Sequence, residues 1–298
     1  MEVTNLFYGF RGNITFPEQA TIYNYSLQND SASKNKIFRE FFSMIESEKK
    51  FESRYQSRIY FLIFKNNYND VLHCQLARKK QFNKRELVDN NIIEREDNDY
   101  PYVNIFVDLK TQKFLIESNT QVFENYNTCG TVLENIINNN LKEKDIRITL
   151  NPIIEEENFW THFDNNSKIY NIEFRLIAPN MFDAEDDVNI FLKEAEKNVG
   201  SDVVNINFCN TKGNLNPNKT GFDSYVRYIS AGGGHWKITK LGNNGRKERI
   251  SSSQKSTKVN VPISYENLMK DKLNEIEINE IIRCFDSIET IEKFKESN

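Results

Sequence analysis

The stretch RIYFLIFKNNYNDVLHCQLA, residues 58–77, decides the fold class. Its apolar halves, 58–64 and 70–77, are joined by the polar turn KNNYND, a pattern that predicts a β-hairpin. YVNIFVDL and KFLIES predict a second hairpin further along the chain. Helical periodicity occurs at 34–50 and 129–141, without the regular strand–helix alternation of a doubly wound sheet. The sequence therefore predicts an α+β protein with mixed or antiparallel sheets and helices on one face.

The pattern of strands and helices starts again after residue 145, which predicts a domain boundary there. We expect an N-terminal α+β domain at 1–145 and a C-terminal α+β domain at 146–298. A strand at 146–150 opens a predicted order of strand, helix, strand, helix, strand, strand, in which 170–179 is the second strand. This order is compatible with a ferredoxin-like or RRM-like sandwich. A final helix is predicted at 273–295.

The composition is that of a globular protein, since 38% of the 298 residues are hydrophobic and 28% are charged. No run of 18 uncharged apolar residues occurs, so we expect no membrane insertion. The N-terminus lacks the basic and apolar regions of a secretory signal, which predicts a cytoplasmic protein. We predict no metal site and no cofactor. The four isolated cysteines are predicted to be free thiols; they are Cys74, Cys129, Cys209 and Cys284.

The charge is unevenly distributed along the chain. Residues 212–258 contain ten basic and two acidic residues, a balance of +8, whereas the whole chain has a net charge of −4. A basic segment in an acidic protein points to a polyanionic partner, so we predict binding to nucleic acid, DNA or RNA. The predicted nucleic-acid-binding residues are Arg227, Gly232, Gly233, Gly234, His235, Trp236, Lys237, Lys240, Arg246, Lys247, Arg249, Lys255 and Lys258.

The glycine segment SAGGGHWKITK, residues 230–240, lies inside this basic region. Three consecutive glycines let the backbone approach a phosphate or a base, and their N–H groups can form an anion-binding nest. Trp236 offers a stacking surface and Lys237 a positive charge. The alternative is that the glycines form a bulge between edge strands and that Trp236 fills the core. The segment matches neither of the nucleotide-binding patterns GxGxxG and GxxxxGK[ST].

The basic run continues into the loop LGNNGRKERISSSQKSTK, residues 241–258. This loop is either a mobile arm that orders on a phosphate backbone or a solvated hairpin tip. A second basic cluster at 78–85 follows the first hairpin and would extend the same surface if the fold brought the two clusters together.

Catalysis has few histidine candidates. His73 alternates with apolar strand residues and is expected to be a satisfied strand histidine, and His162 lies among aromatic residues that predict core packing. His235 has a polar, glycine-rich and cationic setting, in which neighbouring positive charge lowers the imidazole pKa. A metal-independent ribonuclease could use His235 as general base, with Lys237 stabilising negative charge. Such a mechanism needs a second acid or base that the sequence does not identify.

Three segments carry a resemblance to a known group of proteins: IEFRLIAPN at 172–180, YVRYISAGGGHWKITKLGNNG at 225–245 and SSSQKSTKVNVPI at 251–263. In strand pattern and glycine placement they resemble the C-terminal halves of uncharacterised bacterial domain-of-unknown-function proteins carried in anti-phage defence islands and mobile elements. The resemblance covers the last 130 residues or so. It implies a cytoplasmic bacterial accessory or effector protein connected with phage defence, working beside a protein partner encoded nearby.

Three hypotheses follow from these observations. The first is a nucleic-acid-binding accessory protein, the second a protein-interaction subunit of a defence complex, and the third a metal-independent nuclease or RNase toxin that uses His235. The basic segment favours the first two. The lack of a complete set of catalytic residues places the nuclease last, so we expect a protein that is not an enzyme.

Overall fold

The computed structural model describes residues 5–15, 31–142, 146–163, 167–178 and 187–290. These residues form fourteen strands, paired antiparallel in their sheets, and seven helices, which confirms the α+β class. The helices are α1 (Ser31–Glu48), α2 (Tyr126–Leu141), α3 (Glu157–Trp160), α4 (Asp187–Val199), α5 (Lys219–Ser230), α6 (Tyr265–Met269) and α7 (Glu275–Thr290). The final helix, α7, begins two residues later than predicted, and its predicted end at residue 295 lies outside the described residues.

The larger sheet has eight strands. Its order is β14-β1-β8-β7-β4-β3-β2, and β9 also pairs with β1. The strands are β1 (Asn5–Thr15), β2 (Lys50–Tyr55), β3 (Arg58–Tyr68), β4 (Val71–Arg78), β7 (Tyr102–Asp108), β8 (Lys113–Glu117), β9 (Arg147–Pro152) and β14 (Lys258–Val261). Both predicted hairpins are present, as β3–β4 and β7–β8. The β3–β4 turn has positive φ at Asn69 and Asp70, as a two-residue hairpin turn of type I′ requires.

Helices cover both faces of the larger sheet, not one face as predicted. The central strands are buried on both sides, so each face must be covered. Ile105 and Val107 of β7 pack in one cluster with Phe38 of α1 and Val132 of α2. Phe106, pointing the other way, packs in a second cluster with residues of α7 such as Phe285.

The smaller sheet has four strands in the order β11-β10-β12-β13. They are β10 (Ile169–Ile177), β11 (Val203–Cys209), β12 (Gly234–Leu241) and β13 (Lys247–Ser251). Helices α3, α4 and α5 cover one of its faces. The element order β-α-β-α-β-β differs from the β-α-β-β-α-β order of a ferredoxin-like fold. What the predicted sandwich shares with this sheet is four antiparallel strands with helices on one face.

The predicted boundary after residue 145 does not separate the two sheets. Strands β9 and β14, both beyond that residue, pair with β1 in the larger sheet. A buried ion pair also crosses the boundary, because Lys34 Nζ of α1 lies 2.7 Å from Glu196 Oε1 of α4. Residues from both sides of the predicted boundary thus complete the larger sheet. The division into two domains stays a prediction.

A separate two-stranded ribbon, β5 (Lys80–Val88) and β6 (Asn91–Asp99), follows β4. Nearly all of its side chains are exposed. Leu87 and Ile92 face each other near the turn, with 74% and 75% of their surfaces exposed. The ribbon therefore presents aliphatic side chains to solvent.

The described helices include none with the length and apolar character that crossing a membrane requires. All four cysteines are free thiols, as predicted, and Cys209 is the exposed one among them.

Candidate nucleic-acid interface

The candidate site is the face of the smaller sheet opposite its helices, which we call the open face. Side chains alternate along a strand, so Phe174, Trp236 and Ile238 point to the helices while their neighbours point away. In the strand register Arg175 lies beside His235, and Glu173 lies beside Lys237. The open face comprises Asn171, Glu173 and Arg175 of β10, Asn205, Asn207 and Cys209 of β11, His235, Lys237 and Thr239 of β12, and Lys247, Arg249 and Ser251 of β13.

The open face carries four cationic side chains and one carboxylate. Glu173 Oε1 lies 3.5 Å from Lys237 Nζ, and Glu173 Oε2 lies 3.7 Å from an Arg249 guanidinium nitrogen. Lys247 Nζ lies 4.0 Å from the centroid of the Tyr170 ring. Arg175 is the fourth cation. Glu173 partly neutralises two of the cations and holds them in place, and the face keeps a net positive charge.

The fold collects only part of the predicted basic set on this face. Lys237, Lys247 and Arg249 lie there, and Arg246 lies at the β12–β13 hairpin turn, where Gly242 N donates to Arg246 O at 2.8 Å. The first part of the loop predicted at 241–258 is therefore a hairpin tip. The remaining predicted basic residues lie elsewhere: Arg227 on α5 with Asp223 at 3.1 Å, Lys240 with Glu248 at 3.8 Å, Lys255 after the 3-10 turn Ser252–Gln254, and Lys258 on β14.

The three glycines are buried and serve close packing, as in the alternative considered above. A Cβ on Gly233 would lie 2.3 Å from the Tyr228 ring, and one on Gly234 would lie 2.0 Å from the carbonyl oxygen of Arg175. The N–H of Gly232 donates to Ile229 O, and the N–H of Gly233 donates to Tyr228 O. These two donors are engaged inside the protein, so they form no anion-binding nest.

Trp236 is fully buried and packs edge-on against Phe159, with ring centroids 5.4 Å apart. It fills the core under the helices of the smaller sheet and is not exposed as a stacking surface. Because Trp236 is buried, it cannot make the nucleic-acid contact that the sequence predicted. Among the predicted residues at 232–237, His235 and Lys237 are the ones that reach the open face.

His235 lies at one end of the open face and lines a cavity of about 290 Å³. The cavity lies between α2, β9 and the 3-10 turn. Burial, followed by the charges of Lys237 and Arg175, lowers the pKa of His235 to about 4. The imidazole is therefore neutral at pH 7.

Glu134 of α2 lines the same cavity, and the sequence analysis did not identify it. Its Oε2 accepts a hydrogen bond from Leu150 N at 2.9 Å, and burial raises the pKa of its carboxyl above the ordinary value. Arg175 was missed as well, although the alternation in IEFRLI places it on the same face as Glu173. Glu134 gave no comparable signal, because its approach to His235 depends on the pairing of distant strands.

The other two histidines lie away from this cavity. His73 is buried on β4, where its Nε2 lies 3.0 Å from Asn104 Oδ1, and its Nδ1 lies 3.8 Å from Asp271 Oδ1 without a hydrogen bond, so the predicted strand histidine is satisfied at one nitrogen. The ring of His162 packs edge-on against Trp236, with centroids 5.7 Å apart.

The second basic cluster at 78–85 runs from the end of β4 into the ribbon, and β7 and β8 separate β4 from β1.

Within the described ranges, no group of three or more His, Cys, Asp or Glu side chains is placed to hold a metal ion. Comparison with known proteins gives no match: no protein-family model, curated protein sequence or solved structure is similar to this chain. The geometry of the open face and its cavity is therefore the basis for a functional proposal.

Proposed function

We propose that this protein binds the phosphate backbone of nucleic acid along the open face of its smaller sheet. The observation that carries the proposal is the arrangement of Arg175, Lys237, Lys247 and Arg249 around a single carboxylate, Glu173, on a sheet face that none of the described helices covers. Four cations spread over three adjacent strands match the repeated charges of a phosphate backbone.

On the open face β12 presents no Phe, Tyr or Trp, and the Tyr170 ring of β10 packs against Lys247, unlike the RRM platform, on which aromatic side chains stack bases. Affinity at this face would therefore come mainly from phosphate contacts. Four phosphate contacts to single-stranded nucleic acid give a slope of about −2.8 for the logarithm of the binding constant against the logarithm of the salt concentration. This slope corresponds to an affinity loss of about 50-fold between 50 and 200 mM salt.

The test is fluorescence anisotropy with labelled single-stranded DNA, single-stranded RNA and duplex DNA over this salt range. The double variant Lys247→Ala/Arg249→Ala removes two charges from the open face. Its matched control, Lys219→Ala/Arg227→Ala, removes the same charge from α5, on the covered side of the sheet.

We expect the open-face variant to bind at least tenfold more weakly at 50 mM salt and to show a shallower salt slope, while the control variant binds as the wild type does. Equal losses in the two variants would show a response to net charge alone and would contradict the proposal. Absence of binding by the wild type at 50 mM salt would do the same.

The cellular role belongs to the same proposal. The resemblance of the C-terminal segments supports a cytoplasmic accessory or effector protein of a bacterial defence system, acting with a partner encoded nearby. Phage challenge of cells that carry the gene with its neighbours tests this role. We expect protection to be lost with Lys247→Ala/Arg249→Ala and kept with Lys219→Ala/Arg227→Ala. Unchanged protection in both variants would separate the cellular role from the open face.

The ribbon β5–β6 favours protein interaction as a second candidate function. A two-stranded ribbon is marginally stable alone in water, and exposed aliphatic residues at its end favour burial against another surface. We propose a second copy of this chain as the partner, because β5 carries three cations and one carboxylate whereas β6 carries four carboxylates and one cation. Strand β5 of one copy can therefore lie against β6 of the other with complementary charge.

Sedimentation velocity tests this second candidate. We expect the wild type to form a concentration-dependent dimer and Leu87→Ser/Ile92→Ser to remain monomeric with an unchanged melting temperature. A wild type that remains monomeric at about 100 μM, well above the Kd of an ordinary specific dimer, would overturn it.

A further inference from the structure

The cavity at the end of the open face has polar walls. Asn127, Thr131 and Glu134 lie along α2 at helical spacing, Asn151 comes from β9, His235 from β12 and Gln254 from the 3-10 turn. Phe10 and Leu150 contribute apolar surface. A volume of about 290 Å³ suits a small ligand and approaches the lower end of ligand-binding pockets in proteins.

One of the residues that line the cavity, Asn151, has a buried side-chain amide without a partner. Asn151 is 4% exposed, and its Nδ2 has no hydrogen-bond partner among the described residues. A buried donor without a partner costs free energy, so such groups need an explanation. A ligand acceptor in the cavity would supply the missing hydrogen bond.

The charge of the cavity separates it from the open face. His235 is neutral at pH 7, and the described residues that line the cavity include no Lys or Arg and one acidic residue, Glu134. Amide and hydroxyl groups dominate the walls and can both donate and accept hydrogen bonds. The cavity thus suits an uncharged ring with donors and acceptors on its edge, whereas phosphates suit the four cations outside.

We propose that the cavity binds a single unpaired nucleobase. This inference rests on the proposed function, since a strand that lies along the open face would bring a base to the mouth of the cavity beside His235. The amides of Asn127, Asn151 and Gln254 would contact the edge of the base, as amide side chains do in nucleic-acid recognition. The surface of Phe10 would contact the ring.

The experiment uses adenosine, cytidine, guanosine and uridine, which carry no phosphate. Their binding to the full chain is followed through the imidazole NMR signals of its three histidines. We expect at least one nucleoside to shift the His235 signal in a saturable way and to leave the signals of His73 and His162 in place, because those two histidines lie outside the cavity.

The variant Asn151→Leu keeps the side-chain volume and removes the unpartnered amide. We expect nucleoside affinity to fall at least tenfold while the melting temperature stays the same or rises, since no internal hydrogen bond of Nδ2 is lost. Asn260→Leu, the same replacement at an exposed position of β14 that does not line the cavity, should bind nucleosides as the wild type does. Retention of affinity by Asn151→Leu would overturn the proposal, as would the absence of a saturable His235 shift with all four nucleosides.

Failure here is distinguishable from failure of the proposed function. Oligonucleotide binding that depends on Lys247 and Arg249, without any nucleoside response, would remove the base site and leave the backbone site. A nucleoside response without oligonucleotide binding would overturn the backbone site and, with it, the strand as the source of the base.

Discussion

Replacing Gly234 with alanine tests whether the glycine segment is part of the fold or part of a surface contact. Gly234 has φ +149°, a conformation that side-chain-bearing residues rarely adopt. A Cβ at this position would lie 2.0 Å from the carbonyl oxygen of Arg175, a backbone atom held in the β10–β12 pairing. Neither strand can move aside without breaking that pairing.

The expected loss of stability follows from the backbone strain and from the steric overlap at Gly234. Backbone strain of this kind costs about 1–3 kcal/mol and overpacking costs about 1–3 kcal/mol, so Gly234→Ala should lower the free energy of unfolding by about 2–6 kcal/mol. For a chain of this size the melting temperature should fall by on the order of 10 °C. Urea unfolding followed by tryptophan fluorescence measures the loss, because the buried indole of Trp236 becomes exposed on unfolding.

Gly245→Ala is the matched control. Gly245 also has positive φ, +72°, but no atom lies within 4 Å of a Cβ placed there. Strain alone should then cost about 1 kcal/mol. Equal stability of Gly234→Ala and the wild type, together with weaker nucleic-acid binding, would refute the packing role and support a direct contact by the glycines.

Three further predictions concern buried polar groups and the core. Lys34→Met should destabilise the protein by about 3–5 kcal/mol, because the carboxylate of Glu196 would stay buried without its cation, and the double variant Lys34→Met/Glu196→Leu should recover most of this in urea unfolding. A double variant no more stable than the single variant would contradict this. The imidazole of His235 should titrate near pH 4 by NMR; because its pKa is lower in the folded chain than in the unfolded chain, stability should fall as pH drops from about 6.5 towards 4, and His235→Gln should flatten this dependence. A titration midpoint near 6.5 would contradict the burial of His235. Trp236→Ala should cost about 3–5 kcal/mol, and a small loss of stability would place the indole outside the core.

Local patterns in the sequence predicted the hairpins and several helices because these elements depend on residues that are close in the chain. The turn at Asn69 and Asp70 and the alternation in β7 are examples. The pairing of Tyr8 with Lys258 in β1 and β14 joins residues about 250 positions apart, and neither strand's own sequence specifies the other. The sequence could therefore not show that both halves of the chain build the larger sheet.

The candidate site likewise contains some residues that local sequence patterns predict and others that depend on contacts between distant parts of the chain. Lys237 and Arg249 were predicted from the local excess of basic residues, and Arg175 follows from strand alternation. The burial of the glycines depends on Tyr228 and Arg175, and the approach of Glu134 to His235 depends on the packing of α2 beside β9. A glycine run has the same sequence whether it packs against a neighbouring ring or faces a phosphate, so contacts at a distance in the chain decide between the two.

Ultraviolet crosslinking of the wild-type protein to single-stranded DNA and RNA, with the crosslinked peptides mapped by mass spectrometry, tests the nucleic-acid interface most directly. The proposal predicts crosslinks in β11, β12 and β13, which include Cys209 and His235 of the open face, and their loss in Lys247→Ala/Arg249→Ala. Crosslinks confined to α5 or to the ribbon, or crosslinks in β12 that survive the double substitution unchanged, would contradict it.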